Sequence, residues 1–177
     1  KPTINVPKNP KNPVKRLVVY AINKEINIPN TITKIGNLAF ESCAIKHFTI
    51  PQSMIYIRQN PLAGCEKIDS LTCKSNNYIV QNQALLTKDM HTLIFGICKD
   101  DTYLIPSLVN KIGDYAFSKN GILRYITIPD SIEAIGKYAF SMCRELRTVY
   151  ISNIDIKIDD GAFFGCYNLK RIVIPKD

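Results

Sequence analysis

Six cysteines, two histidines and two pairs of adjacent aspartates, Asp100-Asp101 and Asp159-Asp160, are the side chains with the richest chemistry in this 177-residue chain. A thiol beside an imidazole makes a nucleophile pair, so the combinations to weigh are Cys98, or another cysteine, with His91 or His47. Nothing in their spacing orients such a pair, and the absence of any Cys-x-x-Cys leaves no zinc pattern. Adjacent aspartates suit turns better than cation ligation. The eight glycines contain neither a P-loop nor a dinucleotide fingerprint. The expectation is a protein that is not an enzyme, with no cofactor and no metal.

Four of the cysteines, Cys43, Cys65, Cys143 and Cys166, share one position of an internal repeat. Ile-Pro recurs at Ile28-Pro29, Ile50-Pro51, Ile105-Pro106, Ile128-Pro129 and Ile174-Pro175, with Ile151-Ser152 filling a missing beat. The spacing is 22 or 23 residues, apart from one interval of 55 that splits as 23 plus 32 when Cys73 takes the Ile position. The fullest unit reads Ile128, Pro129, Ile132, Ile135, Gly136, Ala139, Phe140, Cys143, Leu146, Val149 and Ile151. The second unit is degenerate, with Arg58 for Gly and Pro61-Leu62 for Ala-Phe. A period in the twenties predicts a solenoid whose coils cannot bury their own apolar edges and are stabilised by stacking. The Leu-x-x-Ile-x-Ile segment predicts a short parallel strand that Pro terminates. Gly is expected to make a tight corner, and Ala-Phe to place one small and one large core residue on the return leg. Isoleucine outnumbers leucine 27 to 12, which favours strands over helices.

These Ile-Pro, Ile-Gly-x-x-Ala-Phe and Cys-x-x-Leu blocks resemble the BspA-like leucine-rich-repeat family over residues 26 to 175. The resemblance implies a right-handed, mainly β leucine-rich-repeat solenoid. It also implies a non-catalytic cell-surface or secreted protein, with adhesion to host proteins or matrix as the leading role. A structural spacer in a larger surface protein is the alternative, and an intracellular scaffold a third. The long coil, residues 74 to 104, resembles a familiar interruption of the family. Its alternating runs, Tyr78-Ile79-Val80, Ala84-Leu85-Leu86 and Thr92-Leu93-Ile94-Phe95, predict an inserted β-hairpin.

The net charge of +8 is uneven: residues 1 to 24 carry six basic and no acidic side chains, leaving a body at +2. With Pro2, Pro7, Pro10 and Pro13, residues 1–16 read as an extended basic linker before a repeat domain spanning 17–177, with Leu17 to Ile22 as an edge strand. No nucleic-acid partner is expected, and no run of about 18 apolar residues predicts membrane insertion. Lys1-Pro2-Thr3 shows no initiator Met and no signal-peptide core, and the last unit has no visible cap, so the expectation is a piece of a longer protein.

The outward positions of the predicted strands form columns. One runs Lys46, Asp69, Arg124, Arg147, Lys170, the next His47, Ser70, Tyr125, Thr148, Arg171, and the third Thr49, Thr72, Thr127, Tyr150, Val173. At the roughly 4.8 Å spacing of stacked strands they make a Lys/Arg/Tyr/Thr face on the concave side. From it Lys46, His47, Arg124, Tyr125, Arg147, Tyr150, Lys170 and Arg171 are candidate ligand-binding residues for a matrix protein or acidic glycan. An ordinary solvated sheet face is the competing reading. The four repeat-position cysteines are expected to stay as buried thiols, whereas Cys73 and Cys98, which flank the insert, are the one pair suspected of a disulfide.

Overall fold

The computed structural model describes residues 4–5 and 25–174, and among them there is no helix. In chain order the strands are β1 (Ile4–Asn5), β2 (Glu25–Asn27), β3 (Lys34–Ile35), β4 (His47–Ile50), β5 (Tyr56–Ile57), β6 (Ser70–Cys73), β7 (Tyr78–Gln81) and β8 (Ala84–Thr87). They continue as β9 (Thr92–Gly96), β10 (Thr102–Tyr103), β11 (Lys111–Ile112), β12 (Tyr125–Ile128), β13 (Ala134–Ile135), β14 (Thr148–Ile151), β15 (Lys157–Ile158) and β16 (Arg171–Val173). The chain is a mainly-β solenoid with a coil of about 23 residues. Leu17 to Ile22 and most of the predicted linker lie outside the described residues; within the latter, Ile4 and Asn5 pair in parallel with Ile26 and Asn27.

Each coil carries one strand of a parallel ladder. Phe48, Ile50, Ile126, Ile128, Val149 and Ile151 point inward and are buried, while the residues between them face out. In the last coil the equivalent Ile172 and Ile174 are exposed. The proline after the strand closes a turn as well as ending the ladder: Pro29, Pro51, Pro106 and Pro129 each accept a bond from the N–H three residues on.

On the return leg the Phe side chains form their own column. Phe117, Phe140 and Phe163 stack at centroid distances of 5.1 and 5.3 Å, within 7° of parallel. The backbone there bonds from coil to coil, Phe117 N–H to the Ala139 carbonyl at 2.7 Å and Phe140 N–H to Ala162 at 2.8 Å. The repeat glycine is not the residue that bends this corner. Positive φ falls just before Ala, at Leu38, Tyr115, Tyr138 and Gly161, and just before the Cys position, at Ser42, Gly64, Lys119, Met142 and Gly165. Gly136 is required for proximity instead: a Cβ there would lie 2.5 Å from Asp114 Oδ1 and 2.8 Å from Asp114 N in the preceding coil.

The insertion is a three-stranded antiparallel meander, β7–β8–β9. Asn82 and Gln83, both at positive φ, form the two-residue turn at its tip. β9 then pairs in parallel with β11, so the meander joins the return-leg sheet of the later coils. It is a wall buried on both faces: Ala84, Leu86 and Leu93 belong to the core of the C-terminal coils, and Leu85, Ile94 and Phe95 to that of the N-terminal coils. The ladder is consequently two separate sheets, β1-β2-β4-β6 and β10-β12-β14-β16. On the Phe side the coils remain joined. Asn60, fully buried, donates to the carbonyls of Tyr115 at 2.8 Å and Ala116 at 3.3 Å, while its Oδ1 accepts the Leu62 N–H. Lys119 Nζ reaches Glu41 Oε1 at 2.8 Å across the same joint.

Candidate functional site

The break in the ladder divides the predicted face. Lys46 and His47 stand on the N-terminal sheet, whereas Arg124, Tyr125, Arg147, Tyr150, Lys170 and Arg171 stand together on the C-terminal one. Backbone bonds hold the second group in file: Arg124 N–H to the Asp101 carbonyl at 2.7 Å, Arg147 N–H to Arg124 at 2.8 Å, and Lys170 N–H to Arg147 at 2.9 Å. The file therefore begins at Asp101, and β10 with the residues on either side of it adds Asp101, Thr102 and Leu104 to the three columns. This strand is absent from the columns drawn on the sequence because Asp100 occupies its Leu position; its one signal in the sequence is Ile105-Pro106 one step later.

Arg124, Arg147, Lys170 and Arg171 are exposed. Glu145 approaches Arg124 at 3.9 Å with both groups well solvated, so the pair neutralises little of the positive field. The hydroxyls differ between the two sheets. On the N-terminal sheet they satisfy one another, His47 Nδ1 with Ser70 Oγ at 2.7 Å and Thr49 Oγ1 with Thr72 Oγ1 at 2.9 Å. On the C-terminal sheet the side chains of Tyr125, Thr127 and Tyr150 have no hydrogen-bond partner among the described residues. Beside them, at the C-terminal ends of β10 and β12, lies a groove of about 630 Å³ reached by Thr102, Leu104, Ser107, Asp130, Tyr125 and Tyr150.

The cysteines are thiols throughout the described residues. At the repeat position, Cys65, Cys143 and Cys166 each lie 3.0 Å from the carbonyl of the Phe in the coil before, Phe40, Phe117 and Phe140, and donate to it. Burial pushes the Cys65 and Cys98 thiols up to about 12 and raises Cys143 too. Cys166, in the outermost coil, is lowered by the adjacent Cys143 thiol. Cys73 and Cys98 do not bridge in this structure. The meander separates them: Cys73 packs on the N-terminal core and donates to the carbonyls of Ser75 and Tyr78, and Cys98 is buried in the C-terminal core.

The candidate nucleophile pairs are not assembled. His91 lies at a meander turn beside Asp89, 3.8 Å away, and His47 engages Ser70 with no third group orienting it among the described residues. Asp159 pairs with Lys157 at 3.1 Å, and no group of three or more metal-ligating side chains occurs among the described residues. No described helix is long and apolar enough to cross a membrane.

Comparison with known proteins places this geometry. The family described as BspA type Leucine rich repeat region matches residues 20–100 and 90–177, in six copies. No curated protein matches. Among solved structures, the chain is similar to a leucine rich cell surface protein from Faecalibacterium prausnitzii A2-165, with a TM-score of 0.60 and 20% identity over 86% of this chain and 54% of that one. A leucine-rich repeat protein from Eubacterium ventriosum ATCC 27560 gives a TM-score of 0.58 at 20% identity, over 84% and 54%. One from Bacteroides ovatus ATCC 8483 gives 0.53 at 26% identity, over 85% and 43%. The chain thus spans about half the length of the structures it matches.

Proposed function

We propose that this chain, which belongs to the BspA-type leucine-rich-repeat family, is a non-enzymatic interaction module of a surface protein that adheres to an acidic partner through its C-terminal ladder sheet. A host matrix protein or an acidic glycan is the partner this reading names. The observation that carries it is the file of Arg124, Arg147 and Lys170, flanked by Arg171 and by tyrosine and threonine hydroxyls with no hydrogen-bond partner among the described residues. Arginine and tyrosine are effective interface anchors because they combine large contact area with directed hydrogen bonds. The cell-surface description of the Faecalibacterium relative supports the location. A spacer role is the second reading, favoured by the greater length of the matched structures, which leaves room for recognition elsewhere.

The test is binding of the chain to immobilised matrix proteins and heparin across a salt series, beside an Arg124→Glu/Arg147→Glu/Lys170→Glu variant. The adhesive reading expects binding that weakens steeply with salt and falls at least about tenfold in the variant. Binding unaffected by the reversal removes the face as the site, and no binding by either protein transfers the assignment to the spacer.

A further inference from the structure

We propose that the groove at the C-terminal ends of β10 and β12 is a binding site for a neutral pyranose ring, adjoining the cationic file and sharing Tyr125 and Tyr150 with the face that file belongs to. Its volume of about 630 Å³ lies in the range of small-molecule sites. Its walls combine two kinds of surface. Tyr125 and Tyr150 supply aromatic faces with polar tips, and Leu104, 81% exposed, adds an apolar edge. Thr102, Ser107, Thr127 and Asp130 supply hydroxyls and a carboxylate. None of these polar side chains is hydrogen-bonded within the described residues. Neither tyrosine is stacked on another ring among the described residues, in contrast to Tyr115 and Tyr138, whose centroids lie 5.3 Å apart.

A sugar ring has the complementary construction, a patch of C–H bonds on one face and hydroxyls around the rim. Its C–H face suits the tyrosine rings, and its hydroxyls can donate to Asp130 and exchange bonds with the threonines and Ser107. A hydrocarbon ligand would strip water from the carboxylate and hydroxyls without replacing those bonds. An anionic ligand would face Asp130 in a groove that no Lys or Arg lines, so the ring is neutral. An extended peptide added to the edge of β10 fits less well. That strand is two residues long and faces the meander tip, where Tyr103 Oη donates to the Asn82 carbonyl at 3.5 Å.

The experiment is an NMR titration of the full chain, amide resonances observed, with cellobiose, lactose and N,N′-diacetylchitobiose up to about 50 mM, a concentration that reaches weak single-ring affinities. At least one sugar is expected to give saturable shifts confined to residues 102–107, 125–131 and 150, unchanged by added salt. Tyr150→Ala and Asp130→Asn should each weaken binding at least fivefold. Tyr150→Phe, which keeps the ring, should stay within about twofold of the parent. Both positions are at the surface, and retained amide dispersion verifies folding. The Arg124→Glu/Arg147→Glu variant should keep sugar binding, since neither arginine lines the groove, while losing the acidic partner, which distinguishes failure of this proposal from failure of the acidic-partner reading. No saturable shift with any of the three sugars, shifts outside the groove, or shifts indifferent to Tyr150→Ala and Asp130→Asn would each overturn the proposal.

Discussion

The Cys143 thiol donates to the Phe117 carbonyl across a coil boundary at 3.0 Å, and the same carbonyl accepts the Asn120 N–H at 3.0 Å within its own coil. The repeat-position cysteine is thus a small core residue that also brings a donor to a carbonyl with a lone pair to spare. Replacing Cys143 by Val keeps the apolar bulk and loses the donor, whereas Ser keeps a donor. Cys143→Val is expected to cost about 1–2 kcal/mol and Cys143→Ser less, read from urea midpoints. Val tolerated better than Ser would reduce the position to packing alone.

Thiol chemistry should follow burial and coil position. Cys166 lies in the outermost coil with its ionisation eased by Cys143, so a thiol-disulfide probe added to the native protein at mildly alkaline pH should label it first. Cys65, Cys98 and Cys143 should react only on unfolding. Mass mapping of the labelled peptides decides it, and early modification of Cys98 would contradict the assignment.

Stability should fall in alkali. The folded pKa of Cys65 and Cys98 is about 12 against an ordinary value of 9.0, so above pH 9 the unfolded chain releases protons that the folded chain retains. The stabilisation from these thiols is complete below pH 9 and is lost as pH rises toward 12. Buried Tyr78 and partly buried Tyr103, also raised, act in the same direction. Unfolding free energy measured across this range should decline less steeply for Cys65→Ala/Cys98→Ala; an unchanged slope would remove the thiols as its cause.

Asn60 is the polar adaptor of the joint between the second coil and the coil that follows the meander. Asn60→Ala leaves the Leu62 N–H unpaired and withdraws a donor from two carbonyls, with an expected cost of about 3 kcal/mol. Because the joint links two core clusters, thermal unfolding of the variant should separate into two transitions. A single transition at the parental temperature would show that the joint contributes nothing.

Gly136→Ala tests the close approach of coils. Its methyl group would meet the backbone and side chain of Asp114, and because Asp114 Oδ1 accepts the Lys137 N–H at 3.0 Å, it has little room to retreat. A loss of about 2–3 kcal/mol in chemical denaturation is expected. A neutral result would mean that neighbouring coils separate freely there.

The solenoid was legible because periodicity reports which side chains face inward, and Ile-Pro, Ala-Phe and Cys recur with almost no slippage. The meander strands were legible for the same reason, as alternating runs between polar turns. β10 was hidden: with Asp100 in place of Leu, a two-residue strand has too little apolar pattern to register. The role of Gly136 was misread because a one-dimensional pattern records that Gly is needed and not whether conformation or a neighbour requires it. The candidate face was half legible. Its columns follow from the repeat, but their interruption depends on which strand the meander joins, a pairing between residues 92–96 and 111–112 that no local pattern encodes.

The one-sided joint also governs how the molecule would bear tension. Along the Phe side, hydrogen bonds run from coil to coil past the insertion, whereas the ladder is discontinuous between β6 and β10. A pull along the axis, such as a tethered surface protein meets when its partner is dragged by flow, therefore loads one seam eccentrically. The bonds around Asn60 would take that load first, and yielding there would leave the meander, buried between the two cores, as what still holds the stacks together.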